Sequence, residues 1–272
     1  MILFTTLAGA GQGLFLAAFA VGARTEFVLV ALLLTAAGLV ASVFHLGHPE
    51  RAWRTAAMWR TSWLSREVIV LPLFMALMFL YGVLQWAGET QKALLVGWLA
   101  AGACIALFLC TGMIYACLPF LQEWRTPLTI VNFTLLGCAS GLSAAAALAA
   151  LLLTLLAAAS RTASLVRNAR IKPRSSLQSA IGIKHPRIAQ KAQGAIAGSF
   201  NTREFFHGRG PLVLRNVKWL FLGAAFAVPA ALLLAGLPAI AFFVQFGGML
   251  AERWFFFAQA NHPQNLYYQV VS

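Results

Sequence analysis

Three observations predict an all-α integral membrane protein, a polytopic helix bundle. The chain of 272 residues is 61% hydrophobic and only 10% charged, with a mean hydropathy of +0.80. Apolar runs recur along nearly its whole length, separated by short polar stretches. Its 20 Lys and Arg outnumber 7 acidic residues, giving +13 at pH 7. Soluble domains do not combine such values. No soluble catalytic domain fits beside the apolar runs, so 1–272 reads as one transmembrane domain. The excess positive charge belongs to loops held on the cytoplasmic side, facing anionic lipid or an acidic partner, and not to a nucleic-acid surface.

Crossing about 30 Å of hydrocarbon takes about 20 helical residues. Runs of that length lie near 1–23, 27–46, 68–87, 93–118, 217–235 and 237–257. The first lacks a basic leader and a small-residue cleavage site, so it reads as a retained span and not a signal peptide. The stretch 128–159 is too long for one crossing and short for two, with Gly137, Gly141, Ser140 and Ser143 marking a break or a close helix contact. Loop charge decides the count. Seven spans, with 128–170 crossing once, would split the basic residues between the two sides. An eighth span near 148–170 puts 17 of the 20 on one side, with only Arg24 and Lys92 clearly opposite. The positive-inside rule favours that asymmetry, so eight spans are expected, with Arg161 turned into the bundle interior.

Residues 171–212 are the one sizeable extramembrane segment, a basic loop whose Gly, Ser and Pro content predicts at most one or two short helices. It is either a lipid-facing loop or a docking surface for a partner. The four cysteines, Cys104, Cys110, Cys117 and Cys138, all fall in apolar runs without a CxxC pair. They read as small apolar residues, and no metal-ligand set is expected.

Ionisable groups are scarce here, and those kept near a membrane are functional candidates. They concentrate in 45–67, HLGHPERAWRTAAMWRTSWLSRE, which holds two of the five His, four Arg, two of the seven Glu and three of the eight Trp. At about 100° per residue neither Arg51, Arg54, Arg60 and Arg66 nor the three Trp share a face. A short helix after Pro49, a turn near Thr61–Ser62 with Ser62 as N-cap, and a new span carrying Glu67 in its second turn fit better. Taken singly, each residue is more often a boundary residue than a functional one: Trp as a belt anchor, Arg as a topology signal, Glu67 as a dipole complement or partner of Arg66. Their concentration carries the functional reading. The turn is expected to bring His45 and Glu67 together as the proton-handling pair.

Proton-coupled redox of a lipid-soluble quinol uses such a set. Each ring oxygen needs a hydrogen-bond partner, and oxidation releases protons that an imidazole or carboxylate accepts. Trp and Phe offer stacking surface, and Arg holds a carbonyl. The five His (45, 48, 185, 207 and 262) all lie away from mid-span, so no haem is expected and electrons leave through a partner. Two other classes stay open. A transporter predicts internal repeats and broken helices at the midplane, and no repeat is visible. A purely structural anchor would use 45–67 only to dock a partner.

His45-Leu46-Gly47-His48-Pro49-Glu50-Arg51-Ala52, followed by Ser65-Arg66-Glu67, resembles the membrane-anchor subunit family of bacterial dimethyl sulfoxide reductase, with its H-L-G-x-P-x-R-A and S-x-E pattern. Trp124-Arg125-Thr126-Pro127 and Glu252-Arg253-Trp254-Phe255-Phe256 extend the likeness more weakly. The resemblance implies an eight-helix, haem-free subunit of the bacterial inner membrane that oxidises menaquinol. It implies an iron–sulfur (ferredoxin-like) partner and a molybdopterin catalytic subunit in anaerobic respiration. It also implies quinol-site roles for His45, Gly47, Arg51 and Glu67, and a ring-packing role for Trp53. The compact fifth and sixth spans and the long basic 171–212 segment depart from the pattern. The terminal acceptor stays open, because such anchors serve several molybdenum enzymes.

Overall fold

A computed structural model describes residues 1–44, 48–143, 146–172, 176–188, 205 and 211–262. Hydrocarbon offers backbone N–H and C=O groups no partner, so apolar runs satisfy them internally as helices. Among the described residues there is no strand. In chain order the elements are α1 (Ile2–Val21), α2 (Thr25–Val43), a 3₁₀ helix (Pro49–Met58), α3 (Trp63–Trp86), α4 (Thr90–Ala116), α5 (Pro127–Leu142) and α6 (Ala147–Ala169). There follow a short α7 (Leu177–Ile181), α8 (Pro211–Leu222), a π-helical turn (Gly223–Ala227), α9 (Val228–Leu234) and α10 (Pro238–Ala258). Among the described residues, seven helical segments are long and apolar enough to cross a membrane, α8 to α9 counting as one over Asn216–Leu234. The eighth, α5, has 16 residues.

The difficult stretch therefore resolves into two helices broken near Ser143. They form a hairpin, because the guanidinium of Arg167 at the end of α6 donates to the carbonyls of Gln122 (3.1 Å) and Arg125 (3.3 Å) just before α5. Trp124 donates its indole N–H to the carbonyl of Phe256 (2.9 Å), and Asn168 donates to Gln259 (3.4 Å), so α10 ends there too. Among the described residues, eight helices thus run between the two ends of the bundle. One end gathers the 3₁₀ helix, the 117–126 loop and the exit from α6, with Arg51, Arg54, Arg60, Arg125 and Arg170. The other carries the exposed pairs Arg24–Glu26 (2.7 Å) and Lys92–Glu89 (3.2 Å). Among the described residues this distribution fits the charge asymmetry expected of eight spans.

The basic 171–212 segment is described only in part. Ser176 closes a capping box at the start of α7, its side chain accepting from Ser179 N–H, and the chain from Gly182 to Ile188 is not helical, as Pro186 requires. Lys191 and most of the remaining segment lie outside the described residues.

Helices α1 and α5 form the centre. Both carry a small-xxx-small face, Gly9 and Gly13 on α1 and Gly137 and Gly141 on α5, and the backbones meet there. A Cβ on Gly13 would collide with the Gly137 carbonyl, and one on Gly141 with the backbone of Gly13 and Leu14. Such contacts let helices associate where lipid competes equally for apolar surface. On the other flank Gln245 of α10 is fully buried and satisfied: its amide donates to Thr154 (3.1 Å) and to the Ala225 carbonyl in the π turn (3.1 Å), and it accepts from Ser143 (3.1 Å). One side chain thus ties the α5–α6 junction, α6 and the π turn to α10.

Gly141→Leu forces α1 and α5 apart and is expected to cost at least about 1–3 kcal/mol, read as a lowered thermal midpoint in detergent. Gly102→Ala, with open space at its Cβ position, should leave the midpoint unchanged or raised.

Candidate functional site

Ser62 stops the chain in an extended conformation and accepts a hydrogen bond from Ser65 N–H (3.3 Å), so α3 starts at Trp63. Glu67 falls in its second turn, about 6 Å inside the helix start at about 1.5 Å per residue. Antiparallel α4 brings Thr111 alongside, and the threonine hydroxyl donates to Glu67 Oε1. Glu67 is 5% exposed and makes no ion pair among the described residues. Arg66, its neighbour, turns away: its guanidinium donates to the carbonyls of Trp59 and Arg60 (both 2.9 Å) and lies 4.1 Å from the Trp63 ring centroid.

Of the remaining predicted site residues, the described ones, Arg51 and Trp53, lie exposed on the 3₁₀ helix. Trp53 is 71% exposed on the 3₁₀ helix, with the Arg54 guanidinium 5.5 Å from its ring. Arg51 is exposed with Nε 3.7 Å from Glu50, and His48 Nδ1 lies 3.0 Å from that same carboxylate. Their exposed positions give no support to a ring contact. His45 and Gly47 lie outside the described residues. Among the described residues no group of His, Cys, Asp and Glu could hold a metal ion.

Several buried polar residues escaped the sequence reading. Thr111 is one, and Tyr115, one turn further along α4, is another. Tyr115 packs among Trp124, Phe133, Phe256 and Phe257 at ring distances of 5.3–5.5 Å, within electrostatic reach of both Glu67 and Arg253. The third is a buried ion triad. Arg161 of α6 faces inward as expected, and its Nε lies 2.7 Å from Glu252 Oε1. Arg253 donates to Glu252 Oε2 (2.8 Å) and lies 3.7 Å from the Phe133 ring centroid. Arg161 also lies between the Phe221 and Phe255 rings, at 5.4 and 5.9 Å. The adjacent Glu252-Arg253 pair inside an apolar run was the available signal. In the 117–126 loop outside the spans, burial holds the Glu123 carboxyl above the ordinary carboxylate range. Backbone N–H groups, including that of Asn261, and the charge of Arg167 pull it the other way.

A carboxyl buried one turn inside the polar end, with one hydroxyl as its partner, can take up or release a proton without breaking an ion pair. The family model described as DMSO reductase anchor subunit (DmsC) matches residues 1–167. The chain belongs to that family. A relative from Allochromatium vinosum, a subunit of sulfite dehydrogenase, is 52% identical over 319 aligned positions that cover 100% of this chain and 98% of the relative. No solved structure matches. The family match spans α1 to α6 and so includes both Glu67 and Thr111. The similarity to the relative extends through α10 and includes the triad.

In this anchor subunit the triad carries two guanidinium groups against one carboxylate, so Glu252 is its keystone. Glu252→Ala leaves two buried cations uncompensated and is expected to destabilise the bundle by about 3–5 kcal/mol. The Arg161→Met, Glu252→Ala double variant should recover part of that loss in thermal unfolding. Strict additivity of the two changes would contradict the coupling.

Proposed function

We propose that this anchor subunit exchanges electrons and protons between a quinone and a sulfite-oxidising molybdopterin complex of the bacterial inner membrane. Sulfite yields two electrons as water supplies the fourth oxygen of sulfate. The electrons reach the membrane through an iron–sulfur subunit and leave on a quinone, which takes two protons as it becomes quinol. The single observation that carries the quinone assignment is the Glu67 carboxyl, buried beneath the polar end and bonded to Thr111. Full-length similarity to a sulfite dehydrogenase subunit supports the sulfite assignment and the direction of electron flow. That direction is the reverse of the expected quinol oxidation, but proton transfer at one carboxyl serves both.

In the reducing direction Glu67 delivers a proton to a quinone oxygen as negative charge develops there, then refills from the aqueous side. His45, in the family pattern, is the second proton-handling group of this reading. Partner docking falls to the basic end, where Arg51, Trp53 and Trp59 are exposed. A second reading follows from the family description: oxidation of menaquinol to supply a dimethyl sulfoxide-type reductase.

Membranes carrying the assembled complex test this with sulfite as donor and ubiquinone or menaquinone analogues as acceptor. Glu67→Gln is expected to lower sulfite-dependent quinone reduction by about 10²-fold with membrane insertion intact, and His45→Ala to lower it less. Wild-type turnover in Glu67→Gln would remove the site from this carboxyl. Quinol-dependent reduction of dimethyl sulfoxide without sulfite oxidation would select the second reading. Failure of quinone analogues to bind the wild-type subunit would leave a structural anchor.

A further inference from the structure

On the α1 side of Thr111 lies a cavity of about 10 Å³. Thr5, Gly9 and Gln12 of α1, Phe108 and Thr111 of α4, and Phe133 of α5 enclose it. Gln12 is 3% exposed, and its Oε1 has no hydrogen-bond partner. A buried acceptor left unpaired costs about 1–3 kcal/mol. The hydroxyls in the wall add acceptors, not donors. Thr111 has committed its one proton to Glu67, and Thr5 directs its proton to the carbonyls of Met1 and Ile2 (both 3.1 Å). Each hydroxyl oxygen keeps lone-pair capacity. A space of about 10–15 Å³ with two or more polar partners suits one water, and water brings donors for Gln12 Oε1 and Thr111 Oγ1.

We propose that one water occupies this cavity, donates to Gln12 Oε1 and Thr111 Oγ1, and refills Glu67 with protons through the Thr111 hydroxyl. The proposal rests on the proton role of Glu67 given above. When an excess proton arrives from the polar end as hydronium, the water passes it to Thr111 Oγ1. Thr111 releases its own proton to Glu67 Oε1. One O–H bond forms at Glu67, one breaks and is replaced at Thr111, neutral water remains, and no electrons move. Thr5, in the first turn of α1, marks the side from which the proton enters. Gln12 is a positioning residue: it holds the water and does not touch the carboxyl.

Two measurements on the whole complex in liposomes test this. The first is sulfite-dependent quinone turnover in H2O and D2O. The second is the rate at which the infrared carboxyl band of Glu67, assigned by its loss in Glu67→Gln, shifts on transfer to D2O. Gln12→Leu keeps side-chain volume and removes the acceptor. It should slow turnover about tenfold, the low end of what a positioned proton path supplies. KM for quinone should stay unchanged, the solvent isotope effect should grow, and band exchange should slow. Thr111→Val should do the same, with Thr111→Ser recovering most of the loss; this pair decides the matter should Gln12→Leu fail to assemble. Wild-type exchange and isotope effect in both Gln12→Leu and Thr111→Val would overturn the water. Slowed exchange in Gln12→Leu alongside full turnover in Glu67→Gln would uphold the water while removing the quinone role from Glu67.

Discussion

The contact between α1 and α5 is made by backbones, and much of the polar end depends on how close they come. Lipid tails satisfy apolar side chains as well as a neighbouring helix does, so association needs surfaces that pack better than lipid. Gly13 against Gly137 and Gly141 against Gly13 and Leu14 supply that surface. With the two axes fixed, α4 fits against α5 because Gly112 leaves room for Ile130, where a Cβ would come within 2.9 Å. Thr111 precedes that glycine and faces Glu67 on one side and the α1 cavity on the other. The position of the carboxyl's partner therefore follows from three glycine-mediated contacts between helix backbones.

Two carboxyl groups lie within the same few turns of the polar end, and their surroundings give them opposite tasks. Glu252 commits Oε1 to Arg161 and Oε2 to Arg253. Removing it would strand two guanidinium groups in low dielectric. Glu67 has a neutral hydroxyl as partner. Its charge can change while every other interaction persists, which a proton-exchanging group requires. The triad in turn ties α6 to α10 and sets Arg253 against Phe133, on the helix whose other contacts build the cavity.

Much of the helix count was legible, because apolar length and loop charge obey the bilayer directly. The break inside 128–159 was legible as one of two readings of its Gly and Ser residues, but its exact place was not, since the junction sits in a run of alanines and carries no Pro or charge. It shows only in three dimensions, where Ser143 turns its hydroxyl to Ala139 and Gln245. Glu67 stood out as a lone acid in an apolar run, and Arg161 was legible as inward-facing. Its partner was not, because Glu252 is 91 residues away and looked like a neighbour of Arg253 alone. Thr111 left no signal, as threonine is unremarkable in a membrane helix. Arg51 and Trp53 carry a weaker signal for a physical reason: Arg and Trp collect at membrane boundaries whatever the nearby chemistry.

At about 1.5 Å per residue α5 is only about 24 Å long, shorter than the hydrocarbon it stands in, yet of its side chains only Pro127 and Val131 are exposed. Lipids meet α2, α3 and α6 instead, whose outer faces are largely uncovered. A thicker or thinner bilayer is accommodated by tilt of the helices it touches. The short helix is screened from that adjustment by its neighbours. Phe133, the α5 side chain in the cavity wall, thereby stands on a helix screened from hydrophobic mismatch, so that wall keeps its place in membranes of differing thickness.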